Sequence, residues 1–566
     1  MKKWLSIGMA ALLVLSLLAG CAGGGEEQDL ETLRLRVAAV GRQSSADPVV
    51  LASSGGETLA VHLYENLMKR VDDGTGHAKV VEGIASSVAV ENGADGSQTY
   101  TFTLRSNALW SDGEPVTAQD FVYAWQRLFS LESYPAGLSN LSLVEGYSAA
   151  RAAHDGTLLT GVTAQDDSTL VIRLTGPCAY FLDVVCADVL TMPVRQESAE
   201  GGWSAGSVLT NGPYTLTSLD GEGALLTRSE SYYDGAQGPG ELWFSWSGTE
   251  EDLEAGELDF VAPLSEESMG ALKEAGELTV EAVTSTYALV LNNAAAPFDS
   301  LEVRQAFAMV IDNEDLLAAA GTAADTAATG LVPSGITNRD DLWQTETEPS
   351  EETAADGEQP EETIYWDYRA VGDAKAGEPE ESSREARAAA AQALLSQAGY
   401  PGGSGFPEVE YLYVDTEQNA AVAVYLQSLW QESLGVRVTV RALSEEEVRT
   451  ALLAGEYTMA SFLFAAPYDD ATAFLSRWTS STTPGQGNVV SYSDRAYDLL
   501  LTVVDEATSA SAREACLHDA EALLIQSCGV VPLFYPGTAS RLAEGLTGVY
   551  RSAMGIYYFS SVTYAQ

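Results

Sequence analysis

From residue 408 to 466 the chain changes its hydrophobic period four times. "EVEYLYV" alternates as a strand, "NAAVAVYLQSLWQESLG" repeats at helical spacing, and "VRVTVRAL" alternates again. "SEEEVRTALLAGEY" is a capped helix and "TMASFLFAA" a buried strand. Apolar residues at a period of two need a sheet, and those at 3.6 need a helix packed on it. Strands and helices taken in turn point to α/β lobes with mixed sheets.

The rest of the chain repeats this grammar. "LRLRV" at 33–37 is a first strand, and 57–69 has apolar residues at helical spacing. In 97–105, Tyr100, Phe102 and Leu104 fall on one strand face. After the turn "SDGEP", Thr117 reads as an N-cap with Asp120 three residues on. Phe121, Ala124, Trp125 and Leu128 then share one helical face, expected to dock on the preceding strand. Further strands are expected at 168–174 and 286–293. "TNGPYTLTSLDGEGALLTRSESYYDG" reads as strand, turn, strand, and "SLEVRQAFAMVIDNEDLLAAA" as one long amphipathic helix.

At 566 residues and 46% hydrophobic, the chain can build two or more lobes. Its net charge of −52, with 29 basic against 81 acidic residues, excludes nucleic acid as a partner and adhesion to anionic lipid through charge. The composition breaks at about 338–386, where repeated Glu with Pro, Ala and Gly cannot bury enough surface to offset ordering. An acidic surface insert is expected there.

The first 21 residues, "MKKWLSIGMAALLVLSLLAGC", have two lysines, a short apolar run and small residues before Cys21. This is an export signal, to be set apart from the fold. "LLAGC" resembles the lipobox of bacterial lipoproteins. The resemblance implies that Cys21 carries a diacylglyceryl anchor, that 22–32 is a tether, and that the protein sits extracytoplasmically on the outer face of the cell membrane. Cys178, Cys186, Cys516 and Cys528 remain, enough for two disulfides in three pairings or for buried free thiols. The four histidines have no ligand spacing to these cysteines, so neither metal nor cofactor is expected. No G-x-S-x-G, H-E-x-x-H or P-loop motif appears, which points away from an enzyme, an exported hydrolase using paired carboxylates being the remote alternative.

In order along the chain come "DGEPVTAQDFVYAWQRL", "TNGPYTL", "SESYYDG", "AGELDF", "NNAAAPFDSLEVRQAFAMVID", "GLVPSGI", "ALLSQAGYP", "LWQESLGVRV" and "YSDRAYDLLL". With these motifs the sequence resembles the extracytoplasmic solute-binding proteins of the oligopeptide and dipeptide ABC-importer class. The resemblance implies an α/β fold of the periplasmic-binding-protein type (type II, cluster C). Two hinged ligand-binding lobes with mixed sheets and a smaller extra lobe are expected. Lobe I would comprise 33–62, 162–275 and 536–566, lobe II 63–161, and lobe III 276–535. It also implies a monomer that captures peptides and delivers them to membrane permease subunits. The alternatives are a modified or non-peptide ligand, such as a sugar or nickel chelate, or a sensor lipoprotein.

For the site, the resemblance aligns "FLFAAPYDDATAFL" with the segment whose aspartate meets the peptide's amino group. Phe464 stands at the tryptophan position and Pro467 at the aspartate position. Proline offers neither charge nor a backbone donor. Asp469 or Asp470 could replace the charge, or the pair could be a solvated turn. Ser461 and Leu452 stand where basic residues are common, and Glu445 where a tryptophan is. The expected ligand-binding residues are Ser54, Tyr134, Tyr287, Phe464, Ala465 and Asp469.

Overall fold

In the computed structural model, which describes residues 30–72, 78–178, 180–235, 238–333, 336, 380–507 and 510–565, the run at 408–466 alternates as its pattern requires. The strands Val409–Val414, Val438–Leu443 and Met459–Ala465 lie parallel, joined by the helices Glu417–Leu434 and Glu445–Ala454. Thr416 accepts a hydrogen bond from the Asn419 N–H at the start of the first helix, and Gly435 ends it in the left-handed conformation. Ser444 and Glu447 form a capping box on the second.

These strands belong to a six-stranded mixed sheet whose order continues through Ser285–Leu291 and Val530–Tyr535 to Thr326–Ala327. Every residue of Ser285–Leu291 is buried, because the strand has a core on each face. Tyr287, Leu289 and Leu291 pack on one side, Ala288 and Val290 on the other. This is the core of lobe III.

Lobe I is built on a second six-stranded mixed sheet, with Arg34–Ala38 in its middle and parallel to both neighbours, Glu241–Ser245 and Phe260–Val261. A four-stranded antiparallel sheet of Ala85–Asn92, Gln98–Leu104, Thr169–Leu174 and Val162–Asp166 makes the smaller unit. The last two strands bond into it, so this unit runs past the expected boundary at residue 161. The chain crosses between lobes I and III twice, at Glu281–Ala282 and Gly537–Thr538, and these passages pair as a two-stranded ribbon.

Several expectations are corrected. The helix expected over 57–69 stops at Leu63, and Met68–Asp72 is a strand paired with Ala78–Glu82. Asn66 takes over between them: its amide donates to Asp188 O and Thr191 Oγ1, and its Oδ1 accepts from the Leu67 N–H. The long helix expected over 300–320 is two, Leu301–Met309 and Asn313–Ala320, because Asp312 accepts from the Glu314 and Asp315 N–H groups and starts a new helix. The helix Ala118–Arg127 has its capping box, with Asp120 Oδ2 accepting from Thr117 N, Thr117 Oγ1 and Trp110 Nε1. It packs across Val162–Asp166 and Thr169–Leu174 rather than on the strand before it.

All four described cysteines are free thiols, so neither permitted disulfide forms. Cys516 lies within the continuous helix Ala510–Gln526 and Cys528 past its end, with roughly 15 Å of helix rise between them. That exceeds disulfide reach. Burial pushes the Cys178 and Cys528 thiols up to about 12, so they stay protonated and inert. Cys21, with the export signal and tether, lies outside the described residues. So does the expected acidic insert, save its last residues, which enter the helix Glu380–Gln397.

Candidate functional site

A cavity of about 440 Å³ lies where the lobes face each other. Lobe I supplies the loop joining the helices Pro48–Ser53 and Glu57–Leu63 and, from the far end of the chain, Met554, Gly555 and Ile556. The smaller unit and its flanks supply Arg70, Asn140 and Asp188. Lobe III supplies Pro467, Tyr468 and Asp469, directly after the strand Met459–Ala465.

The two lobe I segments lie 499 positions apart in sequence yet are stitched together. The Tyr557 N–H donates to Thr58 Oγ1 at 3.1 Å, and the Phe559 N–H to His62 Nε2 at 2.9 Å. His62 Nδ1 in turn donates to Thr58 O at 2.6 Å, which fixes the neutral tautomer. Burial pushes the His62 pKa down to about 4. Gly55 and Gly555 both line the cavity with φ of +72° and +80°. Only glycine adopts these values without strain, and its bare backbone lets a ligand approach the main chain closely.

Charge in the wall is one-sided. Glu57, Asp188 and Asp469 line it, with Arg70 as the cation. Arg70 is spoken for: its Nε and Nη2 donate to Asp183 Oδ1 at 3.0 and 2.8 Å, and Nη1 donates to Ala187 O at 3.2 Å. Burial penalises its charge, but Asp183 foremost, with Asp469 and Asp188, more than offsets this and holds its pKa above the ordinary value. Burial raises the pKa of Glu57, the neighbouring Asp188 charge adding to it, and burial raises that of Asp188 as well.

Of the residues expected at the site, the structure brings only Asp469 to the cavity. It is 2% exposed and Asp470 1%, so the pair is not a solvated turn. Asp470 instead takes a two-pronged grip from Arg513, whose Nη1 and Nη2 each donate at 2.8 Å. Ser54 sits beside the wall, its hydroxyl donating to Gln43 Oε1. Tyr287 is core: it stacks on Phe534 and shares a hydrogen bond of 2.6 Å with Ser461. Phe464 points away, edge-on to Trp478, and Ala465 pairs with Ser285 on the sheet. Tyr134 stacks on His154 and donates to Arg151 O, on a separate surface hollow. Sequence reasoning missed Glu57, Arg70, Asp188 and the turn at Met554–Ile556. Local pattern offered one faint signal, the paired glycines before Glu57.

Residues 79–486 match the family described as "Bacterial extracellular solute-binding proteins, family 5 Middle". The oligopeptide-binding protein OppA of Bacillus subtilis is 24% identical over 583 residues, covering 99% of each chain. Among solved structures, the unliganded open form of MppA, a periplasmic murein tripeptide-binding protein, superposes with a TM-score of 0.77 at 23% identity, over 94% of this chain and 98% of that one. Haemophilus influenzae OppA in complex with the peptide RPPGFSPFR superposes with a TM-score of 0.62 at 24% identity, over 95% and 99%. The periplasmic-binding-protein fold expected from the sequence is the fold observed.

Proposed function

This chain belongs to the bacterial extracellular solute-binding proteins of family 5, and from that membership we propose that it is the lipid-anchored receptor of an ABC importer, capturing peptides between two closing lobes and delivering them to the permease. The observation that carries this reading is the cavity itself. It is lined from both lobes, while the lobes are joined by the ribbon of Glu281–Ala282 and Gly537–Thr538. A ligand that touches both walls makes its full contacts only when the lobes close, so binding shifts the population towards the closed state. The glycine-rich lobe I wall suits an extended main chain, which can be held by backbone groups without reading side chains. Relatives named for oligopeptides and murein peptides support the ligand class.

Asp469, deep in the wall on lobe III, is the residue proposed to meet the peptide's amino group. Ser54 is retained as a neighbour of the contacting loop. Cys21 is the proposed lipid attachment, mooring an exported protein at the membrane. No helix among the described residues is long and apolar enough to cross a bilayer. The chain performs no bond chemistry in this reading.

Thermal unfolding with a mixture of tryptic peptides tests the function. A peptide that binds only the folded state raises the melting temperature, contributing about 2.7 kcal/mol at a hundredfold excess over Kd. A rise with peptides supports the receptor. No rise with peptides, but a rise with a sugar or a nickel chelate, would overturn the ligand class.

A further inference from the structure

The wall of the cavity carries more negative charge than one peptide amino group can answer. Three carboxylates line it, and its guanidinium is held by Asp183 and the Ala187 carbonyl, so turning it to a ligand carboxylate would break a buried ion pair. Asp469 stands on lobe III, whereas Glu57 and Asp188 stand on the opposite wall. Asp188 already accepts the Leu190 N–H through Oδ1 at 2.8 Å. Glu57, half-buried at the first turn of its helix, forms no ion pair with any described residue.

Closure expels water and strengthens every charge interaction inside. A carboxylate shut in without a cation is costly, and a second carboxylate brought by the ligand costs more. A ligand ammonium facing Glu57 removes that cost. Its burial-raised pKa agrees: burial, with the Asp188 charge, outweighs the hydrogen bond from its own backbone N–H that favours the charged form.

Resting on the peptide-receptor reading, we propose that the cavity selects peptides bearing a cationic side chain besides the amino terminus, and that Glu57 is the specificity residue facing that side chain. The chain's net charge of −52 adds a long-range pull on the same ligands, raising their encounter rate.

The test is calorimetric titration of the full chain with tetra-alanine and with tetrapeptides in which each alanine is replaced in turn by lysine, Nε-acetyl-lysine or glutamate. At one position or more, lysine is expected to bind about tenfold tighter than alanine, the scale of one charge-assisted hydrogen bond. Nε-acetyl-lysine loses that advantage, and every glutamate peptide binds more weakly than tetra-alanine. In Glu57→Gln the lysine-to-alanine affinity ratio falls towards one, and in Glu57→Asp it is kept. Peptides that bind without regard to charge, or a ratio unchanged in Glu57→Gln, overturn this inference while leaving the receptor standing. If no peptide in the panel binds, the receptor reading itself fails. Should the Gln variant not fold, the acetyl-lysine comparison on the unaltered chain decides.

Discussion

Tyr180 and Tyr468 stack across the two halves of the molecule, their ring centroids 5.5 Å apart and their planes 19° from parallel. Tyr180 precedes the short π-helix Phe181–Val185 on the lobe I side, and Tyr468 lies in the lobe III wall of the cavity. Tyr468 packs on the cores of both halves. The stack therefore joins the ligand wall to the opposite half. Stacked aromatic pairs contribute about 0.5–1.5 kcal/mol beyond their buried area. A double-mutant cycle of Tyr180→Ala and Tyr468→Ala, read by urea unfolding, is expected to give a coupling in that range. Additive losses would mean that the rings touch without mutual stabilisation.

The neighbouring aspartates should separate by function. Asp470 is buried against Arg513 and also accepts from Thr472 N and Oγ1 at 2.9 and 2.6 Å. Asp470→Asn leaves a buried guanidinium short of its counter-charge, and breaking such a pair costs about 3–5 kcal/mol. Chemical denaturation is the check. A loss under about 1 kcal/mol would show the pair to be dispensable.

Asp469→Asn, by contrast, is expected to act on the ligand. Free-amine peptides should lose about tenfold or more in affinity, and their N-acetylated forms far less. Titration of matched peptide pairs reads the difference. Equal losses for both forms would remove Asp469 from the amino-terminal contact.

His62 gives the fold a defined pH response. Both its ring nitrogens are engaged, one donating to Thr58 O and the other accepting from the Phe559 N–H. A protonated ring would turn its Nε2–H onto that N–H. The folded pKa, about 4, lies below the unfolded value near 6.5, so the unfolded chain binds the proton first. Stability present above pH 6.5 is then lost as pH falls towards 4, up to about 3 kcal/mol. Buried Glu65 and Asp188, whose pKa values burial raises, act in the opposite sense at acid pH. The difference between the unaltered chain and His62→Leu isolates the histidine. That difference should shrink by about 3 kcal/mol between pH 7.5 and pH 4. A pH-independent difference would contradict the assignment.

Much of the architecture was written locally. Ser444 with Glu447 and Thr117 with Asp120 announced helix starts that the structure keeps, and the alternation of Tyr100, Phe102 and Leu104 announced a buried face. The failures have a common physical cause. Whether 64–69 continues a helix depends on Asn66 meeting Asp188 and Thr191, more than 120 residues away. The resemblance set Tyr287 and Phe464 at the ligand, but aromatic residues serve cores and sites alike. Only the register of Ser285–Leu291 against Met459–Ala465 decides which face each takes. The cavity is assembled from Glu57, Arg70, Asp188, Asp469 and Gly555, no two of them adjacent in sequence. No local period marks such a set.

Capture by closure is tested most directly by small-angle X-ray scattering of the full chain, alone and with a saturating tryptic peptide mixture. Two lobes closing around a peptide should shrink the radius of gyration and shorten the maximum dimension, reversibly as the peptide is dialysed away. Peptide bound at saturation with scattering curves that superpose would contradict it.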